Sequence, residues 1–398
     1  MRERSVVEVL FTFLKLGLTS FGGPIAHLGY FRAEIVALRR WIDDAAYTDL
    51  VALCQFLPGP ASSQVVFSLG LTRAGYWGAL AAWTGFTLPS AVSMLAFAYG
   101  AKALVGPIGV GMVHGLKLVA VAIVAQAVWG MARTLCPDRQ RAAIACVAVL
   151  MILLGRSTLA QIGTMVMGGL AGWWLCRAAS ATAAAAAAAS AGAVPVSRAV
   201  GFMALGGFFL LLAGLPLLRS LSGSADLALF EAFYRSGALV FGGGHVVLPL
   251  LRNAFVAPGW VTDDVFLAGY AAAQAIPGPV FSVAAYLGAL AGPSPRGLTG
   301  AALGLIGIFL PGMLILLGTL PFWETLRRRA AMQAMMLGIN AAVVGLLAAA
   351  LYDPLWATSV KSSGDVAIAL FGLLLLTAWR TPPIVVVVLG ALGGIALA

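Results

Sequence analysis

Long apolar runs follow one another along almost the whole chain and are separated by short polar connections. Most of these runs approach the ~20 residues that an α-helix needs to cross a bilayer. They are not segments of roughly ten residues in which apolar and polar positions alternate, as a membrane barrel requires. The pattern therefore predicts an all-α polytopic membrane protein. The predicted spans lie near residues 5–26, 75–100, 108–133, 141–156, 159–177, 198–218, 226–248, 297–320, 331–352, 364–379 and 382–397.

The pattern of glycine, proline and polar positions in the first part of the chain returns in the second. The matched positions, 219 to 222 residues apart, are Phe21-Gly22-Gly23 with Phe241-Gly242-Gly243, Trp41 with Trp260, Gln55 with Gln274, Pro58-Gly59-Pro60 with Pro277-Gly278-Pro279, and Leu88-Pro89 with Leu310-Pro311. A repeat this long indicates two copies of one structural unit. We therefore expect two homologous helical halves, each with a broken first helix and a helical hairpin around its Pro-Gly-Pro segment.

Composition divides the chain into three regions. Residues 1–177 form the first predicted transport repeat, and residues 226–398 form the second. Between them, residues 178–225 hold an Ala-rich linker and one apolar segment. The hairpins are predicted at 45–72 and 262–292, because the arms beside each Pro-Gly-Pro are too short to cross a bilayer comfortably.

Arginine clusters predict the relative orientation of the halves, because cytoplasmic connections carry an excess of Lys and Arg. The clusters are Arg32/Arg39/Arg40, Arg133/Arg139/Arg141 and Arg327/Arg328/Arg329. They share one side of the membrane only if the second half is flipped relative to the first. The sequence thus favours inverted repeats, which typically hold a transport site near the bilayer midplane.

Composition also excludes several classes of protein. The chain is 61% hydrophobic and 10% charged, with a mean hydropathy of +1.00, whereas soluble domains carry about 25% charged residues. Its net charge of +10 is spread over the connections and single positions inside spans, so nucleic acid is not an expected partner. The four cysteines form no CxxC pair and no cluster with histidine, so we expect no metal, no cofactor and no enzyme activity.

Two cations lie at matching places in the two repeats, Lys15 and Arg235. A charge at the bilayer centre costs at least about 2.5–3.5 kcal/mol, so each cation needs a partner. Arg235 has Glu231 one turn earlier on the same helix face, whereas Lys15 has Phe11 there. Lys15 is therefore the stronger candidate to meet a mobile anion. The alternative is a pair between Lys15 and a carboxylate elsewhere in the chain.

The two Pro-Gly-Pro segments predict helix starts that can bind an oxyanion. Proline interrupts a helix, and the helix that begins after it offers unpaired N–H groups and a partial positive charge. The side chains expected to donate hydrogen bonds to the anion are Ser62, Ser63, Gln64 and Ser282. Gln55 and Gln274, three residues before each first proline, are expected to brace the breaks. The glycines expected beside the substrate are Gly22, Gly23, Gly59, Gly242, Gly243 and Gly278. The alternative is a plain kink whose serines are bonded to the backbone.

Four further residues are candidates for a proton relay or a gate. His27 and His245 flank the glycine motifs, and Arg73 and Arg296 follow the hairpins. A histidine can carry protons near neutral pH, although most such residues are simply hydrogen-bonded within the fold. The arginines could close the pathway or only mark the membrane orientation.

The motifs together resemble the chromate ion transporter family in its long two-domain form. The resemblance is carried by residues 15–24, 26–32, 55–64 and 85–90 and by the second-half FGGGH and IPGP segments. It covers nearly the whole chain, apart from the Ala-rich linker and the last two spans. The resemblance implies homologous halves of opposite orientation and a multi-pass protein of the bacterial inner membrane. It also implies efflux of chromate from the cytoplasm, which confers chromate resistance.

Several alternatives stay open at this point. Sulfate or another oxyanion could be the main substrate, and an anion channel would present similar spans. An intramembrane chromate reductase would need a metal or redox cofactor site, for which the sequence shows no pattern. The expected partners are chromate and the lipid bilayer, with sulfate and a second copy of the chain as further candidates.

Overall fold

The computed structural model describes residues 2–20, 23–101, 107–155, 158–177, 196–240, 247–292, 296–323 and 329–397. Every regular element within these ranges is helical, which confirms the predicted all-α class. Five of the described helices are long and apolar enough to cross a bilayer. The chain is thus a multi-pass membrane protein, as its hydropathy indicates.

Sixteen principal helices follow one another along the described residues. In chain order they are α1 (Arg2–Thr19), α2 (Gly23–Phe31), α3 (Asp44–Phe56), α4 (Ala61–Ala101), α5 (Pro107–Leu135), α6 (Arg139–Gly155), α7 (Thr158–Leu175), α8 (Arg198–Ser222), α9 (Ala225–Ala238), α10 (Val247–Phe255), α11 (Asp263–Ala275), α12 (Val283–Leu290), α13 (Gly297–Thr319), α14 (Ala330–Ala350), α15 (Ser363–Thr377) and α16 (Pro383–Leu397). The shorter helical elements are Arg32–Leu38, Val280–Ser282, Leu320–Phe322, Leu351–Trp356 and Ala357–Ser359.

The chain forms two compact units, and each takes segments from both predicted repeats. The first unit comprises Met1–Leu95, Ala183–Val247 and Pro277–Arg329. The second comprises Ala96–Thr182, Leu248–Ile276 and Ala330–Ala398. The compact units therefore cut across the repeats that the sequence pattern defines.

The helices before the two Pro-Gly-Pro segments are built alike. Helices α3 and α11 each have 13 residues. The Asp43 carboxylate caps α3 by accepting the Ala46 N–H, and the Thr262 hydroxyl caps α11 by accepting the Val265 N–H. Such a side chain satisfies a backbone donor that the first helical turn leaves unpaired. Each arm thus begins at a cap and ends at a proline-rich break.

A two-pronged arginine–aspartate pair stands beside the start of each of these helices. Arg32 donates to both carboxylate oxygens of Asp44, at 2.6 and 2.8 Å. Arg252 donates to both oxygens of Asp263, at 2.8 Å each. The matched residues lie 220 and 219 positions apart. The repeat in the sequence is therefore also a repeat of side-chain contacts.

The long helix α4 turns sharply at Ala74 and Gly75, whose backbones are not helical. Gly75 has a φ of 68°, and the matching Gly297, the first residue of α13, has a φ of 57°. A Cβ on Gly70 would lie 2.3 Å from the Gly78 carbonyl oxygen, so the segments before and after this turn pack backbone to backbone. The predicted hairpin arm and the span at 75–100 are therefore two parts of one bent element.

The structure describes only part of the span predicted at the start of the second repeat and none of residues 178–195. Within the span predicted at 226–248, α9 ends at Ala238, and the glycine motif after it lies outside the described residues. Glycine residues at 242–244 weaken helix propensity there. The predicted Ala-rich linker, residues 178–195, lies outside the described residues.

Candidate functional site

Each Pro-Gly-Pro glycine is hydrogen-bonded to the other repeat. The Gly59 N–H donates to the Val240 carbonyl at 2.7 Å, and the Gly278 N–H donates to the Ser20 carbonyl at 3.0 Å. The donors lie 219 positions apart and the acceptors 220 apart. Such a reciprocal exchange is what a two-fold relation between two copies produces. All four residues belong to the first compact unit.

The two glycines are required by conformation and by space. Gly59 has a φ of 121° and Gly278 a φ of 99°, in the region that favours glycine. A Cβ on Gly59 would lie 2.8 Å from the Gly312 Cα, and one on Gly278 would lie 3.0 Å from the Ser90 Oγ. Gly312 and Ser90 are themselves matched, just after the Leu-Pro motif of each repeat. Each break therefore packs against the Leu-Pro helix of the other repeat.

A matched pair of serines follows the breaks. Ser63, near the start of α4, and Ser282, just before α12, are both 1% exposed and lie 219 positions apart. Their hydroxyl groups have no hydrogen-bond partner among the described residues. Ser62 is also buried, at 4% exposed. A buried donor without a partner costs about 1–3 kcal/mol, so these two hydroxyls indicate a place where a ligand can complete the bonding.

Gln64 braces the first break rather than offering donors to a ligand. Its amide Nε2 donates to the Pro58 carbonyl and to the Gly312 carbonyl, each at 2.9 Å. Both of its N–H groups are therefore occupied, and the two carbonyls fix which side of the amide faces them. The predicted role of Gln64 as an anion donor is wrong for this reason. Its side chain instead ties the first break to the second repeat.

The glutamines before the breaks differ from each other. Gln55 is exposed at the end of α3, so the bracing expected of it at the first break falls to Gln64. Gln274 is buried in α11, at 7% exposed. Its bracing role at the second break stays a prediction.

Lys15 has a carboxylate partner that the local sequence does not reveal. Its ammonium group donates to Glu34 at 2.9 Å, while Arg39 donates to the other oxygen of Glu34, also at 2.9 Å. Burial would raise the pKa of Glu34, but the bonds from Lys15 and Arg39 outweigh it and hold the pKa below its ordinary value. The structure thus shows the pair with a distant carboxylate that the sequence leaves open as the alternative, and the role of Lys15 towards an anion stays a prediction. Its side chain is nevertheless 59% exposed.

Arg235 has the partner that the helical spacing predicts. Its guanidinium lies 3.3 Å from the Glu231 carboxylate, and Arg219 donates to the second oxygen of Glu231 at 3.1 Å. Glu231 is 2% exposed, whereas both arginines remain partly exposed. One buried acid of the second repeat therefore serves two cations, of which Arg219 lies in the apolar helix α8 before that repeat.

The two arginines that follow the hairpins make equivalent contacts. Arg73 donates to Glu8 on α1 at 3.1 Å, and Arg296 donates to Asp226 on α9 at 2.6 Å. In each repeat the arginine thus ties the turn after the hairpin to the first helix. Arg73 also lies over the Trp41 ring, 5.0 Å from its centroid.

The remaining predicted residues are placed only in part. His27 is 1% exposed, and its ring meets Phe86 edge-on at 5.4 Å. Gly23 begins α2. Gly22, Gly242, Gly243 and His245 lie outside the described residues. The roles of these residues stay predictions.

Some buried polar groups near the breaks were not predicted from the sequence. The Ser20 and Thr87 hydroxyls and the Trp83 indole N–H have no hydrogen-bond partner among the described residues. Ser20 also supplies the carbonyl that holds the second break. In the sequence, Ser20 could have been singled out because it lies directly before the first glycine motif, within the stretch that carries the family resemblance.

The same sequence profile matches the chain twice. The profile described as Chromate transporter covers residues 7–173 and again residues 227–395. The chain belongs to the chromate transporter family. This confirms the resemblance seen in the motifs, and the two matches fall on the two predicted repeats.

Relatives of both full and half length are similar to this chain. A chromate transport protein of Pseudomonas aeruginosa is 31% identical over 395 residues, which cover 98% of this chain and 91% of the relative. One of Cupriavidus metallidurans is 28% identical over 346 residues, covering 86% and 81%. An uncharacterized transporter of Bacillus subtilis is 28% identical over 174 residues, which are 42% of this chain but 95% of the relative. No solved structure matches the chain.

Proposed function

We propose that this protein exports chromate from the bacterial cytoplasm, and thereby confers chromate resistance, through a site formed between its two repeats. The observation that carries the proposal is the reciprocal bonding of the breaks, Gly59 to Val240 and Gly278 to Ser20, beside two buried serines. Membership of the chromate transporter family supplies the substrate class. The repeats are proposed to be inverted, so that the two-fold axis lies in the membrane plane.

Chromate is bound, in this proposal, by neutral donors at two helix starts. A tetrahedral dianion presents only acceptor oxygens, and a helix start presents only donors. Ser63 and Ser282 add one hydroxyl from each repeat, and Ser62 adds another beside the first break. Lys15 and Arg235 lie in the first helix of each repeat and supply positive charge near the site. Because each is already paired with a glutamate, they attract the anion without binding it irreversibly.

The membrane potential favours the outward direction. A charge of −2 leaving an inside-negative compartment gains about 4.6 kcal/mol per 100 mV, twice the value for a single charge. Export therefore needs no second ion to drive it. Arg73 and Arg296 close the two ends of the pathway in this proposal, and His27 and His245 are candidates to carry a proton.

Flux in reconstituted liposomes tests the proposal. Purified protein would be measured with labelled chromate and with labelled sulfate under a potassium–valinomycin potential of either sign. We expect saturable chromate flux that shows counterflow and is accelerated towards the positive compartment. Sulfate flux that exceeds chromate flux at equal concentration would identify a sulfate carrier. Flux that neither saturates nor shows counterflow would identify an anion channel.

A further inference from the structure

A second polar cluster, unused by the proposed anion site, lies in the second compact unit. The His114 Nε2, on α5, lies 2.6 Å from the Asp365 Oδ1, on α15. Asp365 is 3% exposed, and the His114 side chain is 27% exposed. Ionisable groups inside a membrane protein are rare and costly, so such a pair is a candidate functional site.

The bonding of Asp365 determines which histidine nitrogen carries hydrogen. The Asp365 Oδ2 accepts the backbone N–H groups of Lys361 and Ser362, each at 2.9 Å, as part of the cap of α15. A carboxylate so placed is an acceptor, and therefore His114 Nε2 is the donor. In the neutral imidazole Nδ1 is then the basic nitrogen. A proton taken up at Nδ1 creates an imidazolium directly opposite the buried carboxylate.

Helix α15 is hydrogen-bonded to α5 near both of its ends, and between them Gly372 packs close to Ala122, since a Cβ on Gly372 would lie 3.2 Å from the Ala122 Cβ. His114 binds Asp365 near the start of α15, and the Gln126 amide donates to the Leu376 carbonyl near its end, at 3.1 Å. Between these points a cavity of about 330 Å³ lies among α5, α15 and α16. The cavity is lined by apolar residues such as Val119 and Phe371. This cavity gives α15 room to move when one of its two hydrogen bonds to α5 weakens.

The packing of α16 on α5 is much tighter. A Cβ on Gly115 would lie 2.0 Å from the Gly390 carbonyl oxygen, and one on Gly394 would lie 2.3 Å from the Gly111 carbonyl oxygen. These two helices touch backbone to backbone and cannot separate without loss of that contact. Among these three helices, α15 is the one whose position can respond to the charge on His114.

We propose that His114 and Asp365 form a proton-binding site that makes chromate flux depend on pH. When His114 is charged, it neutralises the buried Asp365 and holds the start of α15 on α5. When His114 is neutral, the carboxylate keeps a weaker hydrogen bond, and α15 is freer to shift into the cavity. The pH dependence of flux rests on the proposed chromate transport. Proton binding by His114 is independent of that proposal.

The elements packed against α5 carry few other titratable side chains. Helices α14 and α16 carry no titratable side chain, and neither does the short helix Ala357–Ser359. Helix α11 contributes Tyr270 and two acids, Asp263 paired with Arg252 and Asp264 paired with Lys117 at 2.6 Å. The remaining groups on packed elements are Tyr352 and Asp353 of the segment Leu351–Trp356 and Lys361 before α15. Histidine alone among these side-chain types ordinarily titrates between pH 5 and 8.

Nuclear magnetic resonance of the histidines tests proton binding without any transport assay. The chain has three histidines, so the wild type and the variants His27→Gln and His245→Gln assign the signal of His114 by elimination. In ¹⁵N-histidine-labelled protein in lipid nanodiscs, the Nδ1 signal of His114 should change between about pH 5 and 8. Asp365→Asn should move the midpoint of that change. A His114 signal that stays constant over this range overturns the proposal.

Chromate flux in liposomes tests the coupling. The wild type should show a flux that varies with pH, and His114→Gln, or His114→Asn if the first variant does not fold, should lose that variation. Lys117→Met is the matched control, because it removes an ion pair one turn away on the same helix while His114 and Asp365 stay in place. A His114 variant that keeps the wild-type pH profile overturns the coupling. A wild type without chromate flux refutes the proposed function but leaves the resonance test intact.

Discussion

The two repeats share their backbone contacts and several ion pairs but differ in how they hold the cation of their first helix. In the first repeat Lys15 reaches a glutamate 19 residues away, in the element Arg32–Leu38, and that glutamate is shared with Arg39. In the second repeat Arg235 uses Glu231, four residues earlier on its own helix. The duplicated sequence therefore fixes the path of the main chain more firmly than it fixes the ion pairs. The matched contacts at the breaks belong to the structure that both repeats share, whereas the partners of Lys15 and Arg235 differ between the repeats.

The largest expected difference between the repeats is at the two break glycines. Gly59→Ala and Gly278→Ala both place a side chain at a positive φ, which costs ~1–3 kcal/mol. At Gly59 the new Cβ would lie 2.8 Å from the Gly312 Cα, whereas at Gly278 its nearest neighbours are the Ser90 Oγ at 3.0 Å, the Ser90 Cβ at 3.1 Å and the Phe86 carbonyl oxygen at 3.3 Å. Gly59→Ala should therefore lower the melting temperature in detergent more than Gly278→Ala does.

Gly75→Ala provides the control for backbone strain alone. Gly75 has a φ of 68°, and a Cβ there would have no neighbour within 4 Å. Its loss of stability should be the smallest of the three. Equal melting temperatures for the Gly59 and Gly75 variants would contradict the close packing of the first break against the second repeat.

The next largest effect concerns the two shared glutamates. Glu231→Gln leaves two arginines without their charged acceptor and should cost about 1–3 kcal/mol of stability. Glu34→Gln should cost less, because Arg39 keeps a bond to Glu8 at 3.2 Å and Lys15 is largely exposed. The measurement is the thermal unfolding of both variants at neutral pH. A greater loss for Glu34→Gln would show that the first network, and not the second, is the stabilising one.

The matched serines test whether both repeats bind one anion. Ser63→Ala and Ser282→Ala should each raise the KM for chromate by roughly 10- to 100-fold, since a hydrogen bond to a charged group contributes about 1.5–3 kcal/mol. Ser68→Ala is the matched control, because Ser68 is equally buried on the same helix but more than a turn beyond its start. An effect from only one of the two serines would mean that a single repeat binds the anion.

The smallest expected effect comes from the matched cations. Lys15 is exposed and paired, so Lys15→Met should lower kcat/KM by no more than about fivefold, the equivalent of ~1 kcal/mol. Glu34→Gln should change kcat/KM in the opposite direction, because it releases Lys15 towards the anion. The double variant Lys15→Met/Glu34→Gln shows whether an effect of Lys15→Met comes from the lost positive charge or from the unpaired Glu34. If Lys15→Met leaves flux unchanged while Arg235→Met lowers it, the second repeat alone supplies the positive charge.

The sequence predicts the helices well because apolar runs and prolines act locally. The helices after Pro58-Gly59-Pro60 and Pro277-Gly278-Pro279 begin where the prolines require. The partner of Lys15 could not be found in the same way, because helical spacing shows only neighbours three or four residues away. The turn at Ala74 and Gly75 lies between the predicted hairpin and the predicted span at 75–100, but the close packing of the segments beside it could not be predicted, because glycine marks a turn without showing how tightly its neighbours pack.

The candidate site is predicted only in its parts. Ser63 and Ser282 were identifiable from their matched positions after the breaks. The bonds from Gly59 to Val240 and from Gln64 to Gly312 depend on which segments meet in space. The His114–Asp365 pair joins residues 251 positions apart and has no counterpart in the repeat, so neither motif nor symmetry indicates it.

The reciprocal bonds at the breaks also bear on the order of biogenesis. The acceptor of the Gly59 N–H lies ~180 residues later in the chain. At ordinary rates of synthesis the ribosome needs roughly 10–40 s to reach it. During that interval the first break is an insertion intermediate with an unsatisfied donor, which in lipid is costly. A chain that held one repeat alone would have to obtain the same acceptor from a second molecule, whereas this chain supplies the acceptor by its own elongation.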